Sequence, residues 1–225
     1  MQKGTITGVG SDMKKDYDEI VIGSGPAGGE AADRCLKADR KVAMIEHRGF
    51  GGTCPLRGCN PKKVLVGASE IIARSMDMQG RGIRFDGHID WPALMAFKGK
   101  FTDPVPEKAE KHYRKAGADI YHGHARFKDE KTVQVGEDFL VGKHIFIGTG
   151  AVPRKLLISG VEHVITSEQF LDLENLPDSI LFIGGGYISF EFAHIAARSG
   201  ARVFVLQRSG QVLSLIHISE PTRPY

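Results

Sequence analysis

Cysteine is scarce in this chain: three residues in 225. Three thiols do not make the disulfide framework of a small secreted domain, so any close pair among them reads as redox-active or metal-binding. No apolar run approaches the ~18 residues that a membrane span needs, and residues 1–16 are polar, with no hydrophobic signal-peptide core. Neither sign of charge dominates. Thirty Lys and Arg against 27 Asp and Glu leave a net charge of +3, and the basic residues are scattered, so neither a nucleic acid nor a membrane surface is implied as a partner. The 41% hydrophobic and 25% charged content is that of a soluble globular protein, here expected to be cytoplasmic. The length suits one full domain and part of another.

Two of the cysteines, Cys54 and Cys59, lie five residues apart in Gly51-Gly52-Thr53-Cys54-Pro55-Leu56-Arg57-Gly58-Cys59-Asn60-Pro61-Lys62-Lys63. Asn60 is a good helix N-cap and Pro61 suits the first helical position. Val64, Leu65, Ala68, Ile71, Ile72 and Met76 follow at helical spacing, so a helix is expected from Pro61 to about Met78. Cys59 then stands at or just before a helix N-terminus, where the dipole and free N–H groups favour a thiolate, and Lys62 and Lys63 add positive charge. A reactive thiol beside a second thiol suits a redox dithiol; a structural disulfide or two buried free thiols is the bland alternative. Cys35 falls in a helix and reads as a core thiol.

Upstream, Tyr17–Ile22 reads as a strand, Gly23-Ser24-Gly25-Pro26-Ala27-Gly28 as a turn, the following residues to Leu36 as a helix, and Lys41–Ile45 as a second strand ending in Glu46. This is a βαβ unit with a dinucleotide-binding fingerprint. Gly23 permits the tight turn, Gly25 lets backbone approach a pyrophosphate, Gly28 allows close helix–strand packing, and Glu46 can accept ribose hydroxyls. A second such unit follows: a strand at Ile180–Ile183, Gly184-Gly185-Gly186-Tyr187-Ile188-Ser189 opening a helix to Ser199, and a strand at Ala201–Leu206. That strand ends in Gln207-Arg208. With no carboxylate for a bare 2′-hydroxyl and an arginine suited to a 2′-phosphate, NADPH is favoured over NADH; an arginine on a solvated loop is the alternative.

Between the two units, helices are expected near Pro92–Phe97, capped by Asp90, and from Pro106 to Lys115. Short strands follow at Asp119–Tyr121, Ala125–Phe127, Thr132–Val135, Phe139–Val141 and His144–Ile147, a pattern that suggests an antiparallel meander. His122 and His124 alternate on one strand, but no third metal ligand is near, and no metal site is assigned.

The segment GGTCPLRGCNPKK resembles the active-site stretch of the flavin-dependent pyridine nucleotide–disulfide oxidoreductases, the group of glutathione reductase, dihydrolipoamide dehydrogenase and mercuric reductase. The RGC-x-PKK ending is most similar to glutathione reductase, while Pro55, Leu56 and Asn60 depart from its usual apolar residues. The resemblance implies an α/β fold: a Rossmann-like FAD-binding domain over 17–150 with an antiparallel β-meander insertion, a connection over 151–178, and the first βαβ unit of a truncated NAD(P)-binding domain over 179–212. It implies that Gly23, Ser24, Gly25, Gly28, Glu46, Gly52, Thr53, Lys62, His124, Ala125, Thr149 and Gly150 serve FAD. Gly184, Gly186, Tyr187, Ile188 and Arg208 serve NADPH, Tyr187 as an aromatic lid. Cys54 becomes the interchange thiol and Cys59 the thiol against the flavin. Lys62 and Glu191 form an ion pair near the flavin's reactive nitrogen; a surface carboxylate is the alternative for Glu191. The reaction implied is hydride transfer from NADPH through FAD to the Cys54–Cys59 disulfide and on to a small-molecule disulfide such as glutathione disulfide; a dihydrolipoamide dehydrogenase or mercuric reductase-like enzyme, or a flavin-binding module without turnover, is the alternative. A homodimer is implied for a full-length parent through a C-terminal domain that also supplies an acid–base pair.

Past Val212 the expected pattern stops. Residues 213–223 resemble the in-frame translation of a sequencing adapter, so 213–225 is expected to be an artefactual tail and the chain an inactive N-terminal fragment. Residues 1–16 are expected to be disordered.

Overall fold

The computed structural model describes residues 14–208, 210, 212 and 213. The disorder expected of residues 1–13 and the tail expected from 214 onward lie outside the described residues.

The first strand, β1 (Lys14–Ile22), opens a βαβ unit with α1 (Pro26–Lys37) and β2 (Val42–Glu46). After α2 (Thr53–Arg57) come α3 (Cys59–Asp77), α4 (Trp91–Thr102) and α5 (Val105–Lys115). Four strands follow: β3 (Asp119–His122), β4 (Arg126–Phe127), β5 (Thr132–Val135) and β6 (Asp138–Ile147). A short helix α6 (Ser167–Phe170) precedes the second βαβ unit, β7 (Ser179–Ile183), α7 (Tyr187–Arg198) and β8 (Arg202–Leu206). The six-stranded sheet has the order β3-β2-β1-β6-β5-β4, and β7 and β8 form a separate parallel pair.

Two compact units emerge from the contact pattern. Among the described residues, one takes in 14–54 and Pro104–Val152; the other takes in Pro55–Asp103 and those from Pro153 onward. Apolar cover draws the second unit together. Leu65 of α3 and Trp91 at the start of α4 share a core with Phe170, Leu171, Phe192 and Ile195, so the second βαβ unit is roofed by helices drawn from the middle of the chain. Phe170 stacks on Phe192 with ring centroids 4.6 Å apart, and Trp91 meets Phe170 edge-on at 5.9 Å.

In the first unit β2 is buried at every residue, as a strand covered on both faces must be. The alternation of side chains sorts the sheet into two cores. Ile20, Ile22, Ala43 and Ile45 pack with Val133, Val135 and Leu140 on one side. Val21, Val42 and Met44 pack with Ala32, Phe50 and Tyr113 on the other. Full burial of such an Ile or Met side chain contributes about 1.5–3 kcal/mol.

Four local expectations are corrected. Lys14–Asp16 are not disordered: their backbone pairs in parallel with Phe139–Val141, a partner too distant in sequence for a local pattern to reveal. Asn60 is not the helix cap. α3 starts one residue earlier at Cys59, with Gly58 as its N-cap and no capping side chain; Pro61 still falls in the first turn, where its missing N–H costs nothing. Asp119–His122 is not part of a meander, because β3 pairs in parallel with β2. The strands expected at Phe139–Val141 and His144–Ile147 are one strand. β6 pairs parallel with β1 and antiparallel with β5, so β4-β5-β6 alone form the antiparallel portion.

Candidate functional site

The C-terminal ends of β1 and β2 carry the first site. Gly23 leaves β1 at φ +99° and gives its N–H to the Ile45 carbonyl at 2.8 Å. A Cβ on Gly28 would run into the Gly23 carbonyl oxygen, so helix and turn approach this closely only because Gly28 has none. Gly52, at φ +71°, lies backbone to backbone against Gly25, which joins the fingerprint turn to the loop leading into Cys54. α1 begins at N-cap Gly25 with no side-chain cap. Its first N–H groups, at the positive end of a 12-residue helix, suit an anion. Gly148 N–H closes the same end of the sheet by bonding the Ile22 carbonyl at 2.8 Å, and Thr149 and Gly150 follow, exposed.

Glu46 is buried at the centre of this end, and its carboxylate accepts four hydrogen bonds. Oε2 takes the Ser24 N–H at 2.9 Å and the Ser24 hydroxyl at 2.8 Å. Oε1 takes the N–H groups of His47 and Arg48, each at 2.9 Å. Burial pushes the Glu46 carboxyl up, but the donors from Ser24, Arg48 and His47 together outweigh it and hold the group below the usual glutamate value. A carboxylate offers about four acceptor positions, and the protein fills them. The Ser24 hydroxyl is the one of these donors on a rotatable bond, and it also accepts from Gly51 N–H at 3.1 Å. Beside Glu46, the rings of His47 and His124 face each other at 4.6 Å. Ala125 packs against the core of the sheet, and His122 is engaged with Glu110 at 3.1 Å.

Cys54, half-buried, sits on α2 after exposed Thr53, and Cys59, exposed, is the first residue of α3. Only Gly58 separates the two helices. One turn into α3, Lys62 Nζ bonds Glu191 Oε1 at 2.7 Å, the two side chains being 24% and 36% exposed. The other oxygen, Glu191 Oε2, is buried with no protein donor among the described residues.

The second βαβ unit repeats the first. Gly184 turns at φ +103°, and α7 starts at N-cap Gly186 with no side-chain cap. Tyr187 and Ile188, its first two residues, are exposed. Gly185 N–H bonds Gln207 Oε1 at 2.8 Å across 22 residues, the same span as Ser24 N–H to Glu46. Gln207 is therefore the amide counterpart of Glu46, a correspondence that reading the strand end alone did not provide. Arg208 follows it, exposed.

Residues 17–220 match the pyridine nucleotide-disulphide oxidoreductase family. The chain belongs to that family. Among curated relatives it is 34% identical over 208 residues to a dihydrolipoyl dehydrogenase of Mycoplasma pneumoniae, covering 89% of this chain and 46% of that protein. It is 35% identical over 202 residues to a glutathione reductase of Nostoc sp., covering 89% and 44%. It is 35% identical over 202 residues to a mercuric reductase of Lysinibacillus sphaericus, covering 88% and 37%. The chain thus spans less than half the length of these relatives. A solved structure of the HOCl-induced flavoprotein disulfide reductase RclA from Escherichia coli, as a copper(II) complex, superposes with a TM-score of 0.76 at 28% identity, over 88% of this chain and 44% of that one. The α/β fold with a mainly parallel sheet is that of this family's Rossmann-like FAD-binding domain. No helix among the described residues is long and apolar enough to cross a membrane.

Proposed function

We propose that this chain carries the FAD-binding and dithiol portion of an NADPH-dependent flavoprotein disulfide reductase, with Cys54 and Cys59 as the redox pair. The observation that carries the reading is the Lys62–Glu191 pair. It places a fixed cation one turn from Cys59 and leaves a buried acceptor, Glu191 Oε2, for a ligand's donor or a water.

The residues fit a dinucleotide. The uncapped N-terminus of α1 over Gly23, Gly25 and Gly28 suits a pyrophosphate; Glu46 suits a ribose; His124 and Ala125 line the strand end expected to face the adenine. Bound FAD would supply two-electron transfer between a nicotinamide and a disulfide. This chain's own residues would do the rest. Lys62 would supply positive charge one turn from Cys59, and the α1 N-terminus and glycine loops would bind phosphate oxygens. The Cys54 thiolate would attack a small-molecule disulfide, releasing one thiol and forming a mixed disulfide that Cys59 then resolves, releasing the second thiol and restoring the Cys54–Cys59 disulfide. NADPH is favoured over NADH because β8 is followed by Gln207-Arg208, a neutral amide and a cation. The relatives' names leave dihydrolipoyl and mercuric substrates as the alternatives to glutathione disulfide. Location in the cytoplasm and homodimer formation by the whole protein belong to the same reading.

The test is to purify the chain, add FAD, and measure flavin retained after desalting, beside Gly28→Val. Weak retention by the natural chain and loss in the variant are expected, with no turnover of a disulfide substrate on adding NADPH. Equal retention, or none in either, overturns the proposal.

A further inference from the structure

Between the two cysteines stands a residue whose charge none of the steps above uses. Arg57 is the last residue of α2, three after Cys54, and Gly58 alone separates it from Cys59. It is not a solvated arginine. Its side chain is 16% exposed, and Nε lies 3.6 Å from Oε1 of Glu168, itself 19% exposed. Glu168 belongs to α6, a four-residue helix anchored on all sides. Thr166 and Gln169 close a capping box at its start. Lys98 Nζ bonds the Leu171 carbonyl at 2.5 Å, and Trp91 Nε1 bonds the Leu173 carbonyl at 2.8 Å. The helix that carries the carboxylate facing Arg57 is thus held by α4 and by its own cap.

We propose that Arg57 is a positioning residue for the dithiol, and that Glu168 sets how much of its charge the sulfurs feel. The proposal rests on the disulfide-reductase reading and deepens it. Reduction of the Cys54–Cys59 disulfide takes two electrons and one proton. The S–S bond breaks and leaves one thiolate and one thiol, while two molecules of a thiol reductant such as glutathione are oxidised to their disulfide, one of their two protons going to the thiol and the other to solvent. The disulfide is neutral and the product carries one negative charge. A nearby guanidinium stabilises only the product, which draws the equilibrium towards the reduced pair. A carboxylate on that guanidinium opposes the effect. The two charges therefore act on the dithiol with opposite sign, whereas damage to a structural ion pair would act alike from either side.

The experiment equilibrates the full chain with glutathione redox buffers at neutral pH, traps thiols with iodoacetamide, and weighs the peptide that holds both cysteines. Arg57→Gln should raise the proportion of disulfide at a given buffer ratio, by roughly three- to tenfold in the equilibrium constant, a partly screened share of what an adjacent charge supplies. Glu168→Gln should shift it by a similar factor the other way. Arg57→Lys, which keeps the charge and loses the planar fork, should stay close to the natural chain. Shifts in the same direction, or none, overturn the proposal while leaving the dithiol in place. A natural chain that forms no Cys54–Cys59 disulfide in any buffer overturns the functional reading and this inference with it.

Discussion

Replacing Glu46 by glutamine changes one atom's protonation capacity at the hub of the first site, and the structure sets the cost. The carboxylate is 7% exposed and receives donors on both oxygens: Ser24 N–H and hydroxyl on one, His47 and Arg48 N–H on the other. Glutamine keeps one acceptor and turns an NH2 group towards two N–H donors, or towards one N–H and a hydroxyl. Hydrogen bonds to a charged group contribute roughly 1.5–3 kcal/mol each, and a buried donor left unmatched costs about 1–3 kcal/mol. Partial relaxation brings the expected loss to about 2–5 kcal/mol, a large share of the roughly 5–15 kcal/mol that holds a domain folded. With a urea slope of about 1–3 kcal/mol per molar, the midpoint should fall by roughly 1–2 M at unchanged slope, followed by circular dichroism. The effect should also be pH-dependent in a definite direction. Glu46 sits below its ordinary value of 4.5 in the folded chain, so its contribution is complete above that value and is lost as pH falls through the depressed one. The gap between the natural chain and Glu46→Gln should close in acid. A midpoint change too small to measure at neutral pH, or a gap that widens in acid, would refute the reasoning.

Other perturbations follow the same logic. Lys62→Met should destabilise by about 1–3 kcal/mol because it strands the partly buried Glu191, and Lys62→Met combined with Glu191→Leu should recover most of the loss in a double-mutant cycle. Lys98→Met should leave the Leu171 carbonyl without its donor and cost about 1–3 kcal/mol, read from the fluorescence of Trp91, the single tryptophan, which is buried in the same unit. Arg208→Ala should weaken NADPH binding by roughly 10- to 150-fold and leave NADH binding nearly unchanged, as the loss of one charge-assisted phosphate contact requires. Equal loss for both nucleotides would place Arg208 elsewhere than at a 2′-phosphate.

What the sequence made legible was local or carried by a long motif. Gly23, Gly25, Gly28 and Glu46 lie within one βαβ unit, and their spacing alone predicts their meeting. Asp90 was readable as a cap because its side chain accepts from Ala93, three residues on. The ion pair of Lys62 and Glu191 was legible only through family resemblance, since 129 residues separate the partners. What escaped depends on distant partners without such a motif. Lys14–Asp16 are polar and look unstructured until β6 arrives beside them. Asp119–His122 has the composition of a hairpin strand, yet its edge is taken by β2 in parallel. Asn60 lost the cap because Pro61 tolerates any place in a first turn, so the motif did not set the register of α3. The Arg57–Glu168 pair joins a motif to a segment with no motif of its own.

The pairing of β1 with β6 carries a consequence for how the chain reaches this state. The link between them, marked by Lys15 bonding Asp138 at 2.8 Å across 123 residues, is the seam at the middle of the six-stranded sheet. During synthesis β1 and β2 emerge early and can pair with each other, but one edge of β1 stays without its neighbour until β6 has left the ribosome. Closing so long a loop is entropically slow, and an unpaired edge recruits other chains. The interval between the appearance of Ile22 and of Ile147 is therefore the window in which aggregation competes with folding. Slowing translation between β2 and β5 should lower the soluble yield.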